Sequence, residues 1–174
     1  MRVVLAEYDP AWPENAAIQA KRLRLLGPVL VQVHHIGSTS VPGLAAKPII
    51  DLMPLVTSLA ELDQRQYQIE ELGYRWLGEL GIPGRRYCSL TDENGVRLAQ
   101  LHFFEAASTQ VARHIAFRDY LRHHPEVAAS YEAEKRRAQR LHPGDVHAYT
   151  DEKAKWVRET EAAALKWFER ENGR

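Results

Sequence analysis

A short polar turn between two apolar runs contains residue types suited to phosphate and metal chemistry. Gly37-Ser38 follows the first apolar run, and Asp51 lies inside the second. Glycine has no Cβ, so a turn at Gly37 lets a phosphate approach the backbone, with the following amides pointing outward at the start of a helix. An unpaired carboxylate within an apolar strand is costly, so Asp51 requires a metal ion, a donor or a strand end open to water. This pairing indicates phosphate and metal chemistry.

Several motifs that would indicate other chemistry are absent from the sequence. It contains neither the Walker pattern GxxxxGK[ST] nor GxGxxG. Ser38 is not in a GxSxG elbow, which argues against hydrolase-type nucleophilic catalysis. The sequence has no HExxH, and the adjacent His34 and His35 would face opposite sides of a strand. A zinc site is therefore not expected.

Other candidate site residues have two open interpretations. Lys47 lies between Ala46 and Pro48, so it is either a phosphate ligand or an awkwardly placed surface charge. His102 lies within an apolar stretch and is either a satisfied core histidine or a site residue. Most basic residues near the carboxy terminus should form a solvated helix face paired with acids, and one or two should reach back to bound phosphates. These residues are Arg113, Arg118, Lys135, Arg136, Arg137, Arg140 and Lys153.

Composition narrows the class of protein. The 174 residues are 45% hydrophobic and 26% charged, and 23 basic residues balance 23 acidic ones. A formal net charge of zero argues against a nucleic-acid duplex as the main partner, since that usually requires a basic surface. The single cysteine excludes an intrachain disulfide. Because no run approaches the ~20 apolar residues of a membrane span, and no basic region precedes an apolar core at the amino terminus, we expect a cytoplasmic protein with no membrane partner.

Periodicity and turn residues predict an α/β (α+β) fold: a mixed, mainly antiparallel sheet with flanking helices, followed by a helical segment. We expect one domain over 1–174, with a sheet core in 1–106 and helices in 107–174 packed on it. The predicted strands are 29–36, 49–56, 74–77, 85–90 and 96–105, and the predicted helices are 14–26, 58–72, 111–123, 125–141 and 146–171.

The stretch His35-Ile36-Gly37-Ser38-Thr39-Ser40-Val41-Pro42-Gly43-Leu44-Ala45-Ala46-Lys47-Pro48-Ile49-Ile50-Asp51 resembles the signature of the GrpB family. The resemblance covers nearly the whole chain. It extends to Tyr8-Asp9-Pro10-Ala11-Trp12, Gly84-Arg85-Arg86-Tyr87, Leu101-His102, Phe117–Arg122, Tyr131 with Lys135, and Tyr149-Thr150 with Lys153. It implies membership of the DNA polymerase beta-like nucleotidyltransferase superfamily, and a similar domain is fused to dephospho-coenzyme A kinase.

The superfamily pattern implies a site with specific ligands. It has Gly-Ser at a helix start, two carboxylates one residue apart on the next strand and a third on a later strand, which together hold two magnesium ions. Gly37, Ser38 and Asp51 match this pattern, whereas Met53 replaces the second carboxylate and His102 corresponds to the third. A thioether is a poor magnesium ligand, so Mg²⁺ should bind weakly here without nucleotide.

The resemblance also implies roles for basic residues. Lys47 and either Arg85 or Arg86 would neutralise phosphate charge, and His102 would position a hydroxyl or act as a base. A separate hypothesis is that the carboxy-terminal helices close over the nucleotide, in which case Arg118, Lys135 and Lys153 would face the phosphates. The favoured function is nucleotidyl transfer to a small-molecule hydroxyl. The alternative is a non-catalytic module that binds a nucleotide or a coenzyme A-related ligand and assists a partner enzyme.

Overall fold

Five strands form the central sheet of this computed structural model, which describes residues 3–173. They are β1 (Leu30–Ile36), β2 (Ile50–Val56), β3 (Tyr74–Trp76), β4 (Arg86–Thr91) and β5 (Arg97–Glu105). Their spatial order is β1-β2-β5-β4-β3. Strands β2 and β5 run parallel, and the other three neighbouring pairs are antiparallel. The mixed, mainly antiparallel sheet expected from the sequence is confirmed.

Helices precede, interrupt and follow the sheet. They are α1 (Trp12–Arg22), α2 (Leu59–Asp63), α3 (Gln66–Glu71), α4 (Thr109–His123), α5 (Pro125–Leu141) and α6 (Val146–Asn172), with 3₁₀ turns at Leu23–Val29 and Ser38–Ser40. Within residues 3–173, no helix combines the length and apolar character needed to cross a membrane.

The first helix is shorter than its sequence pattern predicted. It ends at Arg22 and continues as a 3₁₀ turn, which Gly27 breaks at a φ of +67°. This change of helical pitch alters which side chains face inward. Leu23 and Leu26 are fully buried, whereas Ile18 and Leu25 are about half exposed.

The second predicted helix, 58–72, is two helices. Ser58 caps the first by accepting a hydrogen bond from the amide of Glu61 at 3.3 Å. Helix α2 then ends at Asp63, and α3 begins at Gln66. The two short helices cover one face of the sheet through Leu62 and Ile69, which are both fully buried.

The two faces of the sheet are occupied by different parts of the chain. Residues such as Leu52, Leu101 and Phe103 pack with α1, α2 and α3 in the larger hydrophobic cluster. On the opposite face, Met53 and Phe104 pack against Val111 and Ile115 of α4. The same cluster contains Ile36, Leu55 and Ile82. Side chains alternate between the faces of a strand, so Asp51 shares the second face with Met53.

Helices α4, α5 and α6 pack against one another and cover the second face. Tyr131 of α5 stacks on Trp156 of α6, with ring centroids 4.8 Å apart and ring planes 4° apart. Tyr131 also joins Leu121 of α4 in a cluster with Val41 and Leu44, which follow the first strand. The carboxy-terminal helices therefore contact the turn that contains Gly37.

Candidate functional site

The turn after β1 brings the backbone close to the carboxylate of Asp51. Gly37 adopts a φ of +73°, and a Cβ at this position would lie 2.8 Å from Asp51 Oδ2. Glycine is thus required both by conformation and by space. The next residues form one 3₁₀ turn, Ser38–Ser40, and the chain becomes extended at Val41. The amides after Gly37 therefore begin a short 3₁₀ helix, which ends after three residues.

Asp51 is in direct contact with His102. His102 Nε2 lies 3.0 Å from Asp51 Oδ1, and the side chains are 14% and 27% exposed, respectively. Asp51 lies opposite Gln100 in the parallel pairing of β2 and β5. His102 is two residues further along β5 on the same face, so its side chain reaches Asp51 diagonally. Tyr87, opposite His102 on β4, packs edge-on against its ring at 5.3 Å. His102 Nδ1 is buried and has no hydrogen-bond partner among residues 3–173.

Three lysines from distant parts of the chain converge beside Asp51. Lys47 precedes β2, Lys135 is on α5 and Lys153 is on α6, and all three line a cavity of about 180 Å³. The list of its remaining lining residues is Gly37, Ser38, Thr39, Ala46, Ile49, Asp51, Gln100, Tyr131 and Tyr149. We call this cavity the lysine pocket. Among residues 3–173, none of its three lysines forms an ion pair with a carboxylate.

Two tyrosines hold the lysines of the helices in place. Lys135 Nζ lies 4.7 Å from the ring centroid of Tyr131, one helical turn before it. Lys153 Nζ likewise lies 5.1 Å from the ring centroid of Tyr149, and Lys47 approaches the same ring at 5.6 Å. A tyrosine four residues before a lysine lies on the same helix face, so each pair presents an aromatic ring and an ammonium group together.

Burial changes the protonation of the lysine pocket. Burial and, to a lesser extent, the neighbouring charge of Lys153 lower the pKa of Lys135 to about 7. The pKa values of Lys47 and Lys153 are also lowered by burial, while the carboxylate of Asp51 opposes the shift. Lys135 donates a hydrogen bond to the carbonyl of Ala45. The lysine pocket thus contains ammonium groups whose charge is expensive to maintain without an anion.

The structure does not bring every predicted basic residue to this cavity. Arg86 projects from the opposite face of β4 and pairs with both oxygens of Asp63, at 2.6 and 2.8 Å. Arg85 donates to the carbonyls of Glu79 and Leu80, at 3.2 and 2.8 Å, and lies over Tyr87. Asp63 therefore neutralises the charge of Arg86, and the hydrogen bonds of Arg85 go to the loop that contains Glu79 and Leu80.

Arg118 likewise lies outside the lining of the lysine pocket. It donates to Asp119 at 2.7 Å and to the carbonyl of His35 at 3.3 Å. His35 itself hydrogen-bonds Thr39, with 2.9 Å between Nε2 and Oγ1, and burial lowers its pKa to about 4. These contacts give both side chains a role in supporting the turn.

The residues present do not fit a resident magnesium ion. Mg²⁺ requires near-octahedral oxygen ligands, and Asp51 supplies the only carboxylate in the lining of the lysine pocket. One of its oxygens already contacts His102, and Met53, at the second carboxylate position, is fully buried against Phe104. In the described part of the chain, no group of three or more histidine, cysteine or acidic residues could hold a metal ion.

Sequence reasoning missed several residues that line the site. Tyr131 and Tyr149 were noted only as parts of the family resemblance, and Thr39 and Gln100 were not singled out. The repeated Tyr-x-x-x-Lys spacing was the available signal for the tyrosines, because it places each pair on one helix face. Burial raises the pKa of Tyr131 to about 12, although its hydrogen bond with Ser38 opposes the shift.

A glycine turn followed by an aspartate strand, with helices over the same sheet face, defines a nucleotidyltransferase-like fold. The fold is similar to that of the Cid1 poly(U) polymerase with Mg and 3′-dATP bound, at a TM-score of 0.56 and 13% identity over 85% of this chain and 49% of that one. At this identity, the similarity shows the fold alone. The α/β fold class expected from the sequence is confirmed.

The chain belongs to the GrpB family, whose model, described as GrpB protein, matches residues 2–163. It is similar to the conserved protein GrpB from Enterococcus faecalis, with a TM-score of 0.90 and 38% identity over 95% of this chain and 99% of that one. It is also 37% identical to UPF0157 protein YqkA of Bacillus subtilis (strain 168) over 167 residues, 95% of this chain. The chain spans about half of YqkA, 48% of its length.

Proposed function

We propose that this protein binds the phosphate groups of a nucleotide in the lysine pocket. The observation that supports this proposal is the convergence of Lys47, Lys135 and Lys153 with no carboxylate paired to any of them in the described residues. Buried charges are normally paired, so three partly or fully buried lysines that share one aspartate and form no ion pair among the described residues favour the binding of an anion. A cavity of about 180 Å³ suits a phosphate chain rather than a complete nucleotide.

A pair of lysines on one helix provides a matched test of phosphate binding. Lys153 lines the lysine pocket, whereas Lys155 is 82% exposed on the same helix. Lys153→Met should weaken the binding of nucleoside triphosphates about tenfold or more, the loss of one charge-assisted contact. Lys155→Met should change the affinity less than twofold. Calorimetric titration of both variants measures this difference, and equal affinities would contradict the proposal.

Nucleotidyl transfer is a second candidate function, favoured by the contact between Asp51 and His102. On this proposal, an acceptor hydroxyl oxygen attacks the α-phosphorus, the bond to pyrophosphate breaks, and the hydroxyl proton passes to the Asp51–His102 pair. The residues of the lysine pocket neutralise the phosphate charge, which is the main task of a protein in such reactions. Because Asp51 alone does not hold magnesium, the metal enters as part of the magnesium–nucleotide substrate.

The variant Asp51→Asn distinguishes transfer from a non-catalytic binding module. It preserves shape and removes the charge, so it should abolish pyrophosphate release and any tightening of nucleotide binding by magnesium. Metal-free nucleotide binding should stay equal or become stronger, because a negative charge beside the phosphates is removed. Equal magnesium-independent binding by both proteins, with no pyrophosphate formed from any nucleotide, would refute transfer. It would leave the alternative, a nucleotide- or coenzyme A-related binding module that assists a partner enzyme.

A further inference from the structure

A second, larger cavity opens directly beside the lysine pocket. It has a volume of about 420 Å³ and shares three lining residues with the lysine pocket: Lys47, Ile49 and Gln100. We call it the outer cavity, and the list of its other lining residues is Tyr87, Arg97, Gly144, Asp145, Val146 and His147. Because the two cavities share walls, one elongated ligand can lie across both, with its phosphates among the lysines.

The outer cavity contains an arginine without a counterion. Among residues 3–173, Arg97 forms no ion pair. Its one hydrogen bond in this part of the chain runs from Nη1 to the hydroxyl of Tyr87 at 3.1 Å, and its buried Nε has no partner. A guanidinium has five N–H donors in a planar fork that matches phosphate and carboxylate oxygens, so most of this capacity is unused.

A bulge in the sheet directs Arg97 toward this cavity. The register between β4 and β5 pairs Leu90 with Ala99 but Thr91 with Arg97, so Leu98 is skipped. Without this irregularity, alternation would place Arg97 on the face of Ala99, in the large hydrophobic cluster. The extra residue instead brings it beside Tyr87, and Leu98 is 43% exposed. Bulges are frequent beside functional sites, where they redirect a side chain.

The acidic residue of the outer cavity does not neutralise this arginine. Asp145 caps helix α6 by accepting hydrogen bonds from the amides of His147 and Ala148, at 2.9 and 3.0 Å. It forms no ion pair with Arg97 among the described contacts. The charge of Arg97 does act on Lys47, the residue shared by both cavities, and lowers its pKa. Positive charge therefore continues from the lysine pocket into the outer cavity.

We propose that the ligand of this protein has two separate anionic groups, and that Arg97 binds the second one in the outer cavity while the lysine pocket holds the first. The substrate class is a nucleotide with a second phosphate or a carboxylate remote from its phosphate chain. Ile49 and Gln100 line the passage between the two groups. This inference depends on the proposed phosphate binding and adds the specificity of the ligand to it.

Paired ligands that differ by one phosphate test the role of Arg97. Adenosine 3′,5′-bisphosphate and adenosine 5′-monophosphate are titrated calorimetrically against the wild type and Arg97→Met, with Arg75→Met as control. Arg75 is an exposed arginine of strand β3, so its variant has the same loss of charge in the same sheet. The measured quantity is the ratio of the two affinities, which cancels any general effect on phosphate binding.

We expect the wild type and Arg75→Met to prefer the bisphosphate at least tenfold, and Arg97→Met to prefer it twofold or less. Arg97→Lys keeps the charge and loses the fork, so its ratio should lie between these values. A wild-type ratio near one, or the same ratio in Arg97→Met, would overturn the assignment of Arg97 while leaving phosphate binding intact. If neither ligand nor any nucleoside triphosphate binds the wild type, the proposed function itself fails.

Discussion

Replacing Lys135 with methionine should make the protein more stable and less able to bind phosphate. Lys135 is 2% exposed, and burial lowers its pKa from 10.5 to about 7. Since one pKa unit corresponds to about 1.4 kcal/mol, holding this ammonium group in the folded protein costs up to about 4–5 kcal/mol at pH 7. Methionine fills a similar volume without the charge. It also leaves the carbonyl of Ala45 without its donor, which costs about 1–3 kcal/mol.

The net expectation for Lys135→Met at pH 7 is a gain of about 2 kcal/mol in the free energy of unfolding, or roughly 4–8 °C in Tm for a chain of this size. The gain should shrink as pH rises from 7 to 10. The folded pKa is lower than the unfolded one, so the unfolded wild type binds more protons in this range and the wild type becomes more stable with rising pH. The variant has no such group, so the stability of the wild type rises towards that of the variant.

Thermal and urea unfolding at pH 7, 8.5 and 10 measure this effect, with Lys155→Met as the exposed control. The control should differ from the wild type by less than about 0.5 kcal/mol at each pH. Lys135→Met should also lose about tenfold or more in triphosphate affinity, because one charge-assisted contact is removed. A destabilised variant at pH 7, or a stability difference that does not change with pH, would refute the assignment of a costly buried charge to Lys135.

Three further predictions concern the same site. Gly37→Ala should destabilise the protein by about 1–3 kcal/mol more than Gly43→Ala. Both glycines have a positive φ, but only at Gly37 would an added Cβ contact Asp51. Equal losses of stability in urea unfolding would contradict this. Met53→Asp should destabilise the protein by about 3–5 kcal/mol without creating a magnesium site, because Met53 is fully buried. Met53→Leu is the control, and calorimetric magnesium binding by the aspartate variant would show the reasoning to be wrong. Triphosphate binding at pH 8 should take up about one proton, because a bound anion raises the pKa of Lys135 from about 7. Calorimetric titrations in two buffers of different ionisation enthalpy measure the proton uptake, and zero uptake would contradict this prediction.

The strands were predictable because their signals are local. The hairpin between β4 and β5 has the turn Asp92-Glu93-Asn94-Gly95, in which Asp92 accepts hydrogen bonds from the amides of Asn94 and Val96 at 2.9 and 2.8 Å. Gly95 supplies the positive φ of +78° that the turn requires. The predicted strands 49–56 and 96–105 differ from β2 and β5 by one residue each, since turn residues and apolar alternation bound them from both sides.

The pitch of the first helix, and the sheet face to which a strand side chain points, were harder to predict from the sequence. Gly27 and Pro28 marked the end of the first helical stretch, but nothing local showed that the pitch tightens after Arg22. Arg85 and Arg86 remained alternatives because adjacent strand residues point to opposite faces, and the face is decided by the register with β5. The bulge that redirects Arg97 is likewise set by pairing between strands.

The lysine pocket depends on contacts between residues far apart in sequence. Lys135 reaches the carbonyl of Ala45, 90 residues earlier. Periodicity assigns such a lysine to a helix and, by default, to a solvated face. The sequence offered Lys135 and Lys153 among several basic residues that could reach bound phosphates, and the structure places both in the lining of the pocket that contains Asp51. The packing of α5 against α6 and, through Tyr131, against the residues that follow β1 decides this outcome.

The charge around Asp51 favours a particular order of events at the site. In a site with several neighbouring carboxylates, the negative charges repel a phosphate chain until metal ions neutralise them. Here the second carboxylate position is the buried Met53, and His102 contacts the remaining aspartate at 3.0 Å. Three lysines therefore share a single carboxylate, and on the proposed function they attract phosphate directly. On the proposed function, the nucleotide binds first through the lysines, and magnesium adds to affinity only to the extent that it arrives already bound to the phosphates.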